Sequence, residues 1–229
     1  MIKDNILRLQ DDISLICQRL GRSPNEITIV GVTKYADVPA IEEALKAGIL
    51  HVGENKVQEA LKKFQSLTAK KITRHMIGHL QTNKVKDALK IFDCIQSVDS
   101  LKLARAIDKG AAQLNRPFDI LIQVNTSGER QKFGVAAGEA INLIDKILHL
   151  DYVRIRGLMT VGPLTDDQNA VRLCFRLLRE LKNQIQGAFG QSEKITMEYL
   201  SMGMSSDYAI AVEEGSNMVR VGTKIFKNA

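Results

Sequence analysis

A lysine stands just past a β-branched run: Ile27-Thr28-Ile29-Val30-Gly31-Val32 is followed by Thr33-Lys34-Tyr35. A lysine at the carboxyl end of a buried strand points into a partly desolvated space. Loss of water disfavours the ammonium and leaves a nucleophilic amine, and such an amine condenses with aldehydes to give a Schiff base. Taken alone, Lys34 also fits a side chain that reaches solvent from a strand end. Far along the chain, Ser201-Met202-Gly203-Met204-Ser205 follows another apolar run and opens a helical stretch. Backbone N–H groups at a helix start, with hydroxyls beside them, suit a phosphate. Gly222-Thr223, after the last apolar run, adds another N–H and hydroxyl. A reactive lysine opposite a phosphate cradle describes a site for a phosphorylated aldehyde. Pyridoxal 5′-phosphate and the sugar phosphate of a lysine-dependent aldolase both match, and spacing alone leaves both open.

The elements that position these residues alternate regularly. Apolar residues at helical spacing predict a helix over 6–20, which Gly21 and Pro24 end. Strands are predicted over 27–32, 49–53, 74–78, 94–98, 118–124, 153–159, 195–200 and 218–221. Helices are predicted over 39–47, 54–67, 82–89, 100–114, 137–148, 166–185 and 206–214, with Asp37 as a cap and Gly48 as a stop. Strictly alternating β and α elements imply a parallel sheet, because parallel neighbours need a crossover connection. Eight such units without a Pro/Ser-rich linker favour a single α/β domain over 1–229, a closed (β/α)8 barrel. An open doubly wound sheet is the structural alternative. The first helix precedes the first strand and is expected to cap one barrel face. In such a barrel the loops after the seventh and eighth strands often build the phosphate site, and both Gly/Ser-rich turns fall there.

Composition narrows the classes of function. The 229 residues are 45% hydrophobic and 25% charged, which excludes a disordered chain. No apolar run approaches the ~20 residues a bilayer span needs, and Met1-Ile2-Lys3-Asp4-Asn5 lacks a secretory apolar region, so a cytoplasmic protein without a membrane partner is expected. Cys17, Cys94 and Cys174 lie far apart and fit buried thiols in a reducing compartment. His75 and His79 have no nearby ligand set, so no metal is expected. The net charge is +6, yet the lysines are spread out. The densest patch, Lys62-Lys63 with Lys70-Lys71, has no aromatic stacking partners, and Trp is absent. No nucleic-acid partner is expected.

Six motifs then resemble the pyridoxal phosphate homeostasis proteins. They are Val32-Thr33-Lys34, Gly53 to Glu59 (GENKVQE), His75 to Lys84 (HMIGHLQTNK), Arg156 to Met159, Leu200 to Asp207 (LSMGMSSD) and Val219 to Phe226 (VRVGTKIF). The resemblance runs from the first helix nearly to the last residue. It implies a pyridoxal phosphate fold-type-III barrel similar to the alanine racemase N-terminal domain. It implies that Lys34 carries the cofactor as an internal aldimine, that Ser205, Gly222 and Thr223 hold the phosphate, and that Ser201 and Gly203 shape that turn. Arg220 would face the pyridine nitrogen, Asn55 would lie near the ring, and Met76 and Ile77 would wall the cofactor. Arg74 stands where many members have a bulkier residue and Met76 where Phe is common, and the Gly that often follows Phe226 is missing. These departures touch packing more than anchors.

The resemblance further implies a non-catalytic protein that buffers pyridoxal phosphate and delivers it to apo-enzymes, with effects on amino-acid and keto-acid balance. It is taken as a monomer. Two features agree. The barrel is expected to use the whole sequence, leaving none for the second domain that completes racemase-type sites. An arginine at the pyridine nitrogen also keeps that nitrogen unprotonated, which weakens the ring as an electron sink. A small pyridoxal phosphate racemase is the alternative, followed by the lysine-dependent aldolase.

Overall fold

Each apolar run becomes a parallel strand in the computed structural model, which describes residues 1–67, 71–129 and 131–227. The strands are β1 (Thr28–Val32), β2 (His51–Glu54), β3 (Thr73–Met76), β4 (Cys94–Val98), β5 (Phe118–Asn125), β6 (Val135–Ala136), β7 (Val153–Met159), β8 (Ile195–Ser201) and β9 (Met218–Val221). Hydrogen-bonded neighbours run β4-β3-β2-β1-β9-β8-β7-β5, and β4 also pairs with β5. All strands but β6 therefore close into the eight-stranded ring of a (β/α)8 barrel. The two-residue β6 is an addition to β5 that sequence patterning does not predict, being too short for any alternation to register.

Helices α1 (Ile2–Leu20), α2 (Val38–Lys46), α3 (Val57–Phe64), α4 (Val85–Ile91), α5 (Leu101–Gln113), α6 (Ala140–Leu148), α7 (Gln168–Phe189), α8 (Tyr208–Glu213) and α9 (Thr223–Phe226) surround the ring. Local chemistry sets their ends. Asp37 accepts a hydrogen bond from the Ala40 N–H at 2.9 Å and starts α2. Gly48, at φ +98°, turns the chain from α2 toward β2. Alternation along each strand divides the core in two. Val30, Cys94, Leu121, Met159 and Met218 meet inside the barrel. A larger layer, including Phe92, Phe118 and Phe175, fills the space between strands and helices.

The first helix does not cap a barrel face. Its stripe of Ile2, Ile6, Leu9, Ile13 and Ile16 packs with Ala44, Ile49, Val212, Val219, Val221 and Ile225, so α1 joins the outer ring beside α2, α8 and α9. The reason is a gap: α9 has only four residues and cannot cover β9 and β1 by itself. The three cysteines are free and buried. Among the described residues no cluster suits a metal ion and no helix is long and apolar enough to cross a membrane. Lys70 of the basic patch and the tail residues Asn228 and Ala229 lie outside the described residues.

Candidate functional site

The register of β1 against β9 brings the two ends of the sequence motif set together. Gly31 lies opposite Val221, so Gly222 and Thr223 emerge beside Val32 and the turn that carries Lys34. The approach is close: a Cβ at Gly222 would stand 3.1 Å from the Val32 carbonyl oxygen. The Lys34 turn closes with a bond from the Ala36 N–H to the Thr33 carbonyl at 3.0 Å. Lys34 is exposed at the mouth, and its ammonium nitrogen lies 4.6 Å from the centre of the Tyr35 ring.

The turn after β8 is tied to the same place by two bonds and braced by a third within itself. The Arg220 N–H donates to the Gly203 carbonyl at 2.9 Å, and the Lys224 N–H donates to Ser205 Oγ at 3.4 Å. From behind, the Asp207 carboxylate accepts from the Met204 N–H at 2.5 Å. Burial raises the pKa of Asp207, while that backbone bond and the charge of Arg220 oppose the rise. Gly203 has φ +96°, and a Cβ there would approach Ala211 Cβ to 2.5 Å and Tyr208 Cα to 3.0 Å. Only glycine allows this turn to fold so tightly onto α8. Ser201, Gly203, Ser205, Gly222 and Thr223 are thus one constellation.

Arg220, only 4% exposed, lies at the floor of the mouth. Its guanidinium donates to Ser201 Oγ and to the Thr160 carbonyl, each at 2.7 Å. Among the described residues it has no ion pair, and the Asp207 carboxyl acts on it only through space. Desolvation lowers its pKa to about 10, so it remains a cation near neutral pH. A guanidinium has five donors, and two protein bonds leave donors to spare. Behind Arg220 a buried polar chain continues. Ser201 Oγ donates to Gln96 Oε1 at 2.7 Å, Gln96 Nε2 meets His75 Nδ1 at 3.0 Å, and His75 Nε2 meets His51 Nδ1 at 3.0 Å. Because arginine only donates, Ser201 must accept from it and donate onward. Each later bond then has one direction, which makes His75 Nδ1 an acceptor and its Nε2–H a donor. Burial, with help from His51, depresses the pKa of His75 to about 3, which keeps the ring neutral as this pattern requires.

Asn55 follows β2 at the rim, and the backbone of Gly78 presses against it. Ile77 lies on the lumen side of the sheet, against Gly53. Met76 points the other way, as alternation demands. It is buried in the layer between sheet and helices and borders a cavity of about 250 Å³ with Asn55, His79 and Lys84. His79 stacks on Phe133 at 4.0 Å between ring centres, across the rim. The larger cavity, about 530 Å³, lies beside the constellation. It shares Met204, Ser206 and Asp207 with the β8 turn, but neither Lys34 nor Arg220 lines it. Sequence reasoning gave no role to Gln96, His51, Thr160, Glu54 or Lys63, although Glu54 lies in the GENKVQE motif and Lys63 in the basic patch. Gln96 carries a signal of its own: a polar residue in mid-run among Cys94, Ile95 and Val98.

Comparison with known proteins follows the same lines. Residues 7–228 match the family model described as alanine racemase, N-terminal domain. A pyridoxal phosphate homeostasis protein of Aquifex aeolicus is 38% identical over 223 residues, covering 97% of this chain and 96% of that one. The structure of PipY from Synechococcus elongatus with pyridoxal phosphate bound superposes with a TM-score of 0.85 at 33% identity, over 99% of this chain and all of that one. An alanine racemase of Clostridium difficile shares the fold, with a TM-score of 0.77 at 17% identity, over 99% of this chain and 57% of that one.

Proposed function

Because this chain belongs to the pyridoxal phosphate homeostasis proteins, within the wider family of the alanine racemase N-terminal domain, we propose that it binds pyridoxal 5′-phosphate, buffers it and delivers it to apo-enzymes. The observation that carries this reading is the meeting of the Lys34 turn, the Gly222-Thr223 turn and the Ser205 turn around a buried arginine that has no ion pair among the described residues. The residues suit the cofactor. Hydroxyls of Ser205 and Thr223, with the N–H groups of the two turns, offer donors to a phosphate. Arg220 offers an N–H to the pyridine nitrogen, and the orienting bonds to Ser201 and Thr160 hold its plane. Lys34 would hold the cofactor, its amine being the group suited to condense with the aldehyde with loss of water. Asn55 and Ile77 border the ring, and Met76 supports that wall from behind.

Bound pyridoxal phosphate supplies an electron sink to amino-acid chemistry, and this chain's residues favour holding over turnover. Arg220 stays protonated, so it can donate to the pyridine nitrogen but not protonate it. The whole chain is taken as one domain that works as a cytoplasmic monomer, in keeping with its buried free thiols. Loaded protein incubated with single L-amino acids in D2O tests the non-catalytic reading. No α-hydrogen exchange above the free cofactor is expected, together with transfer of cofactor to an apo-enzyme such as an apo-aminotransferase. Exchange at enzymatic rates with any amino acid would instead favour a small racemase.

A further inference from the structure

Behind the Lys34 turn, on the helix side of the sheet, lies a buried ion pair that the cofactor site does not include. Glu54, the last residue of β2, is 1% exposed. Its Oε1 accepts from Lys63 Nζ at 2.8 Å and from Thr33 Oγ1 at 2.9 Å, and its Oε2 accepts from the Asn55 N–H at 3.1 Å. Lys63, on α3, is also largely buried. Besides Glu54, its ammonium donates to the Thr33 carbonyl at 2.7 Å and to the Lys34 carbonyl at 3.4 Å. An ammonium has three donors, and all three are committed here: one to the carboxylate and two to the backbone that carries Lys34. We propose that Lys63 and Glu54 are positioning residues that fix the Lys34 turn, so that its side chain leaves the backbone aimed into the mouth.

The physical case rests on cost and placement. Burying two charges is expensive, and as a contribution to stability such a pair is often no better than well-packed apolar residues. This pair converges on one backbone segment. Glu54 also holds Asn55 through its second oxygen, so one carboxylate couples the Lys34 turn to the Asn55 rim. Among the described residues the Lys34 side chain makes no hydrogen bond and only lies over the exposed Tyr35 ring, so the backbone fixes where it starts from. Misplacing a reacting group by about 1 Å can cost on the order of a hundredfold in rate.

The inference rests on the reading that Lys34 condenses with pyridoxal phosphate, and the test separates the two. The rate at which the visible band of the bound cofactor appears is measured for wild type, Lys63→Arg, Lys63→Met and the double variant Lys63→Met/Glu54→Met. In the double variant two apolar chains of similar length replace the pair, so it folds where a lone buried carboxylate would not be tolerated. Affinity for pyridoxine 5′-phosphate, which has the ring and phosphate but no aldehyde, is measured alongside. Positioning predicts that the Met variants lose roughly tenfold to a hundredfold in condensation rate while their affinity for the analogue changes far less. Lys63→Arg, which restores a cation with several donors, recovers most of the rate. A folded double variant that condenses at the wild-type rate would overturn the proposal, and so would equal losses in condensation and analogue binding. A wild-type protein that forms no band removes the parent reading, and this one with it.

Discussion

His75 shows what the barrel asks of a single residue. As a lone histidine next to His79 it suggested at most a metal ligand, and that suggestion had no partners. In the fold it is the middle of a hydrogen-bonded chain that starts at Arg220, and it must stay neutral to accept from Gln96. Its folded pKa, about 3, lies below the ordinary value of 6.5. Between these values the unfolded ring binds a proton that the folded ring refuses, so the unfolded state gains from acid. His75 therefore contributes stability in full above about pH 6.5, and the contribution fades as pH falls toward 3. Urea midpoints measured from pH 7 to pH 4 should fall, and His75→Gln should flatten the part of that fall owed to this ring. An unchanged slope in the variant would show that other groups set it. Lys34 was legible because its position after a strand has chemical meaning by itself. Glu54 and Lys63 were not, because their role depends on reaching the Thr33-Lys34 backbone at the end of β1, which lies 21 residues before Glu54 and 30 before Lys63 when counted from Thr33.

Among the elements, strand order and the main helices were legible from alternation and punctuation. β7 and β9 fall on the predicted 153–159 and 218–221, where β-branched and other apolar residues recur around Arg154, Arg156 and Arg220. The errors cluster where elements are short. The stretch 82–89 opens as a 3-10 turn over Thr82–Lys84 before α4 begins, and α9 went unseen because four residues carry no periodicity. The misplaced first helix shares this cause, since its true location is set by how little α9 covers. The turn between β8 and α8 is marked in the sequence by Gly203 and its flanking serines, and the structure shows how tight it is. Gly203→Ala would place a methyl group against Ala211 and Tyr208 at a positive φ. We expect a loss of about 2–4 kcal/mol from strain and overpacking together, seen as a lower denaturant midpoint, with weaker phosphate-dependent binding. An alanine variant as stable as wild type would mean that the turn relaxes freely.

At the scale of the whole molecule, a closed ring makes chemistry out of residues distant in sequence. Lys34 and Thr223 become neighbours only because β9 closes onto β1, and Arg220 reaches Thr160 across β8 for the same reason. The resemblance pointed to residues from both ends of the chain, and the topology brings the turns at Lys34 and Gly222-Thr223 side by side while Met76 faces the helices instead. The polar chain through the lumen and the ion pair behind the sheet lie on opposite sides of one wall. One orients the arginine at the floor, the other the lysine at the lip. The most direct measurement is borohydride reduction of the protein after incubation with pyridoxal phosphate, followed by peptide mapping. The account predicts a single cofactor-modified lysine, Lys34, and no stable adduct of that strength in Lys34→Ala. An equally strong adduct in the Lys34→Ala protein, or a map that places the cofactor on another lysine, would contradict it.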